Sequence, residues 1–190
     1  YPDRVAAVHR AFVSAGCDII QTNSFGSTAV VLAEYPPLQE QAYEISKRAA
    51  ELARQACAEF DHEGHTHFVA GSMGPTTKAL SVTGGITFSE LQDTFRLQAR
   101  GLLDGGADYL LLETCQDTRN IKAGLLAIER LERERDLSIA IAVSGTIEPT
   151  GTMLAGQSAE ALAISLAHRD LLYLGLNCAT GPEQMTDHIR

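Results

Sequence analysis

No stretch of this sequence is apolar for anything near the roughly 20 residues that a helix needs to cross a membrane. A run such as Tyr109–Leu112 is only long enough for a strand. No basic segment followed by an apolar one opens the chain, so no leader is expected, and the protein is read as soluble and cytoplasmic. Positive charge is scarce: 15 Lys and Arg stand against 24 Asp and Glu, the formal net charge is -9, and the basic residues are scattered. A phosphate backbone would be repelled, which argues against nucleic acid as a partner. The four cysteines, Cys17, Cys57, Cys115 and Cys178, lack the dense spacing of a small secreted scaffold and are expected as reduced thiols. Low-complexity tracts are absent too. Apolar residues make up 45% of the 190, which is enough for one domain with a real core.

The apolar residues are patterned. Val5, Val8, Phe12 and Ala15 recur at helical spacing and stop at Gly16, a residue suited to a left-handed helix cap. A short apolar run follows, Ile19 to Thr22, and the same order returns at Gly105-Gly106-Ala107-Asp108 before Tyr109 to Glu113. Further strands are expected at Phe68 to Gly71, Ile139 to Ser144 and Leu172 to Asn177. Helical stripes lie between them: Ala42, Ile45, Ala49, Leu52, Ala53 and Ala56; then Phe88, Leu91, Phe95 and Leu102; then Ile121, Leu125, Ile128 and Leu131. Thr87 with Glu90 forms a capping box, Ser158 is placed as an N-cap, and Pro182 is placed to open a helix.

Five strands alternating with helices leave an open doubly wound sheet or part of a (β/α)8 barrel. A nucleotide-binding doubly wound sheet should carry a G-x-G-x-x-G turn after its first strand, and Thr22-Asn23-Ser24-Phe25-Gly26-Ser27 is not one. Each strand instead runs from apolar residues into polar or special ones at its carboxyl end, where a barrel does its chemistry. A whole barrel takes about 250 residues and eight strands. The fold class is therefore α/β, a partial (β/α)8 barrel with about five central units.

Cys178 follows the strand Leu172 to Asn177, so its thiol is expected at the mouth of the barrel. Glu113 ends an apolar strand, where a carboxylate needs a cationic partner. Cys115 borders that mouth but is not read as a ligand. Cys17 and Cys57 are read as packing, and the alternating charges of Glu129 to Arg135 as a solvated helix end. His62, His65 and His67 are crowded as metal ligands are, but they precede a strand and are read as a solvated loop on the opposite face.

Several segments then match one family in order. Ile20-Gln21-Thr22-Asn23-Ser24-Phe25 resembles its I-x-T-N-T-F stretch, Val69 to Lys78 its A-G-S-I-G-P-T-N-K segment, and Gly101 to Thr114 its helix-to-strand passage ending in E-T. Ser144-Gly145-Thr146-Ile147 with Leu154-Ala155-Gly156-Gln157 resembles S-G-T-I and L-S-G-Q, and Gly175-Leu176-Asn177-Cys178-Ala179 resembles G-L-N-C-A. The chain is identified as a member of the homocysteine S-methyltransferase family, nearest its cobalamin-dependent branch.

The resemblance implies a homocysteine-binding domain over residues 1–190, incomplete at both ends, with a first strand before Tyr1 and an adjacent cysteine pair after Arg190. It implies zinc held by three thiolates, the first from Cys178, with homocysteine bound as its thiolate and methylated to methionine. The methyl group would come from methylcobalamin held by another domain, so cobalamin and folate modules of the same long chain are the expected partners. Glu113 is expected to meet the α-ammonium of homocysteine, and Asn23 and Ser72, with the backbone amides of Gly71 to Gly74, its carboxylate. The 190 residues alone are expected to be inactive and not to bind zinc tightly. The alternatives are a betaine- or S-methylmethionine-dependent methyltransferase of the same fold, or a non-catalytic barrel module that lost its metal.

Overall fold

The computed structural model describes residues 1–189. All five expected strands are present and parallel: β1 (Ile19–Gln21), β2 (Phe68–Met73), β3 (Tyr109–Cys115), β4 (Ala140–Gly145) and β5 (Tyr173–Leu176). Their order in the sheet is β1-β2-β3-β4-β5. Each strand lies beside its successor, the sequential winding of a barrel rather than the reversed order of a doubly wound sheet. The helices are α1 (Pro2–Ser14), the short α2 (Ala29–Leu32), α3 (Ala42–Ala58), α4 (Phe88–Asp104), α5 (Thr118–Arg135), α6 (Ala159–Leu166) and α7 (Pro182–Ile189). Only α2 and a 3-10 turn at Leu38–Gln41 lie outside the sequence expectation. None of the described helices is long and apolar enough to cross a membrane.

The chain divides into two compact units, the first made of residues 1–73 and 97–110, the second of 74–96 and from Leu111 onward. In the first unit the repeated Gly-x-Asp signal has one mechanism. Cys17 N–H donates to Phe12 O and Gly16 N–H to Val13 O; likewise Ala107 N–H donates to Leu102 O and Gly106 N–H to Leu103 O. Both glycines are left-handed, with φ of 98° and 95°. These are Schellman ends, in which the reversal satisfies the last carbonyls and aims the chain into the next strand. The Arg54 guanidinium fastens the second one, donating to Gly106 O and His67 O and pairing with Asp108. A small core of Val13, Ile20, Ala53, Cys57 and Val69 lies beneath, with Cys17 packed against it.

The apolar stripe of α1 does not face that core. Ala6, His9 and Val13 are buried, whereas Val8 and Phe12 are more than half exposed. A buried histidine among them has a consequence for pH. His9 is 6% exposed, its Nε2 has no hydrogen-bond partner, and burial holds its pKa below the usual 6.5. The unfolded chain therefore binds a proton that the folded one resists, so stability is lost as pH falls through 6.5 toward the lower folded value. His9→Leu should flatten that part of the melting-temperature profile between neutral and mildly acidic pH. A variant profile as steep as the wild type's would show that His9 is not responsible.

In the second unit α5 buries the expected Ile121, Leu125, Ile128 and Leu131. It ends on Asp136, in the left-handed region at φ 51° where glycine is more usual; aspartate is one of the few other residues that visits it. The capping box holds: Thr87 N–H donates to Glu90 Oε2 at 2.8 Å and Glu90 N–H to Thr87 Oγ1 at 3.2 Å. Ser158 Oγ accepts from Ala161 N–H at 3.1 Å, and Pro182 opens α7. Asp117, the N-cap of α5, also accepts from Ser81 N–H, while Asn120 Oδ1 accepts from Leu80 N–H and Asn120 Nδ2 donates to Lys78 O. The loop after Pro75 is thereby fastened to the start of that helix.

Candidate functional site

In the second unit the carboxyl ends of β3 and β5 meet. Cys178 follows β5 and is exposed, as the sequence led one to expect. Its Sγ is 3.9 Å from Thr114 Oγ1 and accepts from Asn177 Nδ2 at 3.3 Å. Asn177 ties the group together. Its Nδ2 also donates to Thr114 Oγ1 at 2.8 Å, while its Oδ1 accepts from Thr114 N–H at 3.1 Å and from Ser144 Oγ–H at 2.7 Å. Thr114 N–H can only donate and so must meet the amide oxygen, which fixes the orientation of the Asn177 amide. β3, β4 and β5 are thus pinned at their carboxyl ends by one side chain.

The backbone there is strained. Thr114, Cys178 and Ala179 have φ of 57°, 59° and 51°. A left-handed conformation costs a residue with a Cβ about 1–2 kcal/mol, and a β-branched threonine rarely adopts it. Strain of this kind persists where surrounding contacts overdetermine the geometry, and it concentrates at functional sites. Glu113 and Thr114 are both half-buried, between the buried run Tyr109 to Leu112 and the buried Cys115.

Glu113 therefore stands next to the residue that touches Cys178. Its charge also acts on Cys115, whose thiol is pushed up to about 12, mainly by burial and then by Glu113. Cys115 is protonated at any physiological pH and is a packing residue, and burial raises the Cys57 thiol as well. The donor set at Cys178 does not by itself fit zinc, which takes three or four protein ligands. Among the described residues no group of three His, Cys, Asp or Glu is arranged to hold a metal ion.

In the first unit Asn23 is exposed and Ser72 is 2% exposed. A hydroxyl network locks the loop after β1 onto the end of β2. Thr22 Oγ1 and Ser24 Oγ share a hydrogen bond of 2.6 Å, Ser24 Oγ donates to Ser72 O at 2.7 Å, and Ser72 N–H donates to Thr22 Oγ1 at 2.9 Å. Both main-chain groups of Ser72 are engaged, so of the Gly71 to Gly74 amides that of Ser72 is committed to the fold. Gln98, fully buried, donates through Nε2 to Ser24 O and Ser27 Oγ. The sequence signals Thr22 and Ser24 only through the family stretch around Asn23, and Gln98 not at all, because a polar residue on a helical stripe gives no hint of what it will face.

Asn177, Thr114 and Ser144 are likewise residues that sequence reasoning passed over. The available signals were that all three are polar residues at strand ends and that all three fall inside the matched family segments. Asn177→Asp keeps both acceptor contacts, loses the donors to Thr114 Oγ1 and Cys178 Sγ, and places a carboxylate beside the sulfur. A like charge disfavours the thiolate. Alkylation of Cys178 by iodoacetamide near neutral pH should therefore be several-fold slower in this variant; an unchanged rate would mean that Asn177 does not govern the thiol.

The family model for homocysteine S-methyltransferase matches residues 1–190. Methionine synthase of Mycobacterium leprae (strain TN) is 37% identical over 189 residues, covering 100% of this chain and 16% of that protein. Methionine synthase of Mycobacterium tuberculosis (strain ATCC 25618 / H37Rv) is 35% identical with the same coverage. The chain thus spans about a sixth of the length of these relatives. Among solved structures, the metallated form of the Escherichia coli homocysteine methyltransferase MmuM superposes with a TM-score of 0.80 at 26% identity, covering 96% of this chain and 65% of that one. The apo form gives 0.71 at 26% identity. With a family model that matches residues 1–190, this chain belongs to the homocysteine S-methyltransferase family.

Proposed function

We propose that these 190 residues are the homocysteine-binding domain of a cobalamin-dependent methionine synthase. The observation that carries this reading is Cys178 at the carboxyl end of β5, exposed and held by Asn177 against Thr114, the residue after Glu113. Cys178 would supply one thiolate to a zinc centre whose other donors come from outside these residues, and such a centre would supply deprotonation of the substrate thiol, which matters because a free thiol with a pKa of about 8.5 is only a few per cent ionised at neutral pH. The chain's own contribution is to hold the amino acid. Glu113, half-buried at the same strand end, accepts from the α-ammonium group.

A methylcobalamin donor, held with folate on other modules of the longer protein, is favoured over betaine or S-methylmethionine. Identity to the methionine synthases is 37% and 35%, against 26% to MmuM. The test is methyl transfer to homocysteine by the intact protein, offered each of the three donors in turn. Transfer from betaine or S-methylmethionine but not from methylcobalamin would replace the donor assignment.

Glu113→Gln removes a charge-assisted hydrogen bond worth about 1.5–3 kcal/mol, so the KM for homocysteine should rise about ten- to hundredfold. The KM for the methyl donor should stay as it is. Equal effects on both substrates would argue for a structural role of Glu113 instead.

A further inference from the structure

The segment Asp61-His62-Glu63-Gly64-His65-Thr66-His67, which leads into β2, is solvated only in part. His62 is exposed and His65 partly so, but His67 is 4% exposed. Asp61 fixes it: Oδ1 accepts from His67 N–H at 2.8 Å and from the His67 ring at Nδ1, also at 2.8 Å. A carboxylate oxygen can only accept, so the ring proton is on Nδ1 and the lone pair of the neutral imidazole is on Nε2. His67 Nε2 lies 3.1 Å from His65 Nε2, with the two rings edge-on at 72° and their centroids 4.4 Å apart, and His65 Nε2 lies 3.5 Å from Asp18 Oδ1.

Two imidazole nitrogens on one metal, each about 2.0–2.1 Å from it, stand roughly 2.9–3.4 Å apart in octahedral or tetrahedral coordination. The separation of 3.1 Å falls in that range. The arrangement of Asp61 on His67 is that of an orienting carboxylate behind a metal-ligating histidine, which sets the tautomer and raises the basicity of the donor nitrogen. Imidazole suits nickel, copper and zinc.

We propose that His65 and His67 form a two-imidazole chelate for a divalent late transition metal ion, apart from the Cys178 site, with water completing the coordination and Asp18 supplying negative charge beside it. On binding, the hydrogen now between the two Nε2 atoms moves to His65 Nδ1 through solvent, and both rings ligate as neutral imidazoles. The site precedes β1 and β2 at their amino ends, so it requires nothing from the strand-end chemistry and stands whether or not the proposed function does.

The experiment is titration of the intact protein with Ni2+ alone at neutral pH, followed by calorimetry and by metal content after desalting. The wild type should take up one more Ni2+ per chain than His65→Ala, which removes a partly exposed side chain and should leave the melting temperature unchanged. Asp61→Ala should weaken that ion about ten- to hundredfold, the usual cost of losing an orienting carboxylate. Cys178→Ser should retain it in full. Equal uptake by wild type and His65→Ala, uptake abolished by Cys178→Ser, or no saturable binding to the wild type would each overturn the proposal. Should Asp61→Ala fail to fold, the comparison of wild type with His65→Ala decides alone.

Discussion

Cys178→Ser in the intact protein is expected to lower methyl transfer to homocysteine at least about thirtyfold while leaving the fold unperturbed. The sulfur is exposed, and its recorded contacts are Asn177 Nδ2 at 3.3 Å and Thr114 Oγ1 at 3.9 Å. A serine hydroxyl fits the same space and accepts from the same amide, so little stability is at stake. What disappears is an ionisable sulfur. If activation of the substrate depends on it, homocysteine falls back to the roughly 3% thiolate that a pKa of about 8.5 allows at neutral pH, which sets the minimum loss. A second readout separates this from a general defect: zinc content should fall in parallel while the melting temperature does not move. Full transfer and full zinc in the variant would reduce Cys178 to a surface thiol and remove the site assignment with it.

The place of that residue was legible from sequence because a strand-length apolar run precedes it, and its reading as a site residue came from the family segment Gly175 to Ala179. The same logic placed the five strands, since each core strand of a parallel sheet is apolar on both faces and stops where it meets polar chemistry. The helix ends were legible for a different reason. Gly16 and Gly106 need left-handed backbones, and the capping box at Thr87 is a local chemical pairing, so both can be read without knowing the fold.

What escaped was whatever depended on partners distant in the chain. Asn177 meets Thr114 across 63 residues and Ser144 across 33, and no local pattern encodes that clamp. The stripe on α1 misled because it contains larger apolar residues than the buried face: Ala6 and His9 face inward, while Val8 and Phe12 do not. Small residues allow closer approach than large ones, so a helix lying close to its neighbour buries alanine. His67 escaped because burial of a histidine depends on Asp61, whose acceptor geometry appears only once the turn is folded.

Gly105→Ala should be among the most destabilising single changes in the first unit, although the lower backbone freedom of alanine in the unfolded chain alone predicts the opposite. In the sequence this glycine looks like punctuation between a helix and a strand. In the fold it and Gly101, one turn earlier, are where α4 lies against α3. A Cβ on Gly101 would stand 2.6 Å from Tyr43 O and 3.0 Å from Ser46 Cβ; one on Gly105 would run into Lys47 O and stand 2.7 Å from Ala50 Cβ. These oxygens belong to the backbone of a 17-residue helix, so relief requires moving α3 as a body rather than rotating a side chain. Alanine in place of glycine gains at most about 1 kcal/mol from the lower entropy of the unfolded chain. Forcing extra volume into a close-packed contact costs about 1–3 kcal/mol, and the upper end applies where the opposing atom is main chain. The overlap wins, for an expected net loss of about 2 kcal/mol and a melting temperature lower by roughly 4–8 °C for a chain of this size. Gly106→Ala supplies the internal control: its φ of 95° makes it strained, but its nearest neighbours are Arg54 side-chain atoms at 3.5 Å and beyond, which can yield. Thermal melts of the two variants side by side decide the matter, for a Gly105→Ala protein as stable as the wild type would mean that α3 and α4 can separate without loss, and the close approach of these helices would then have no energetic weight.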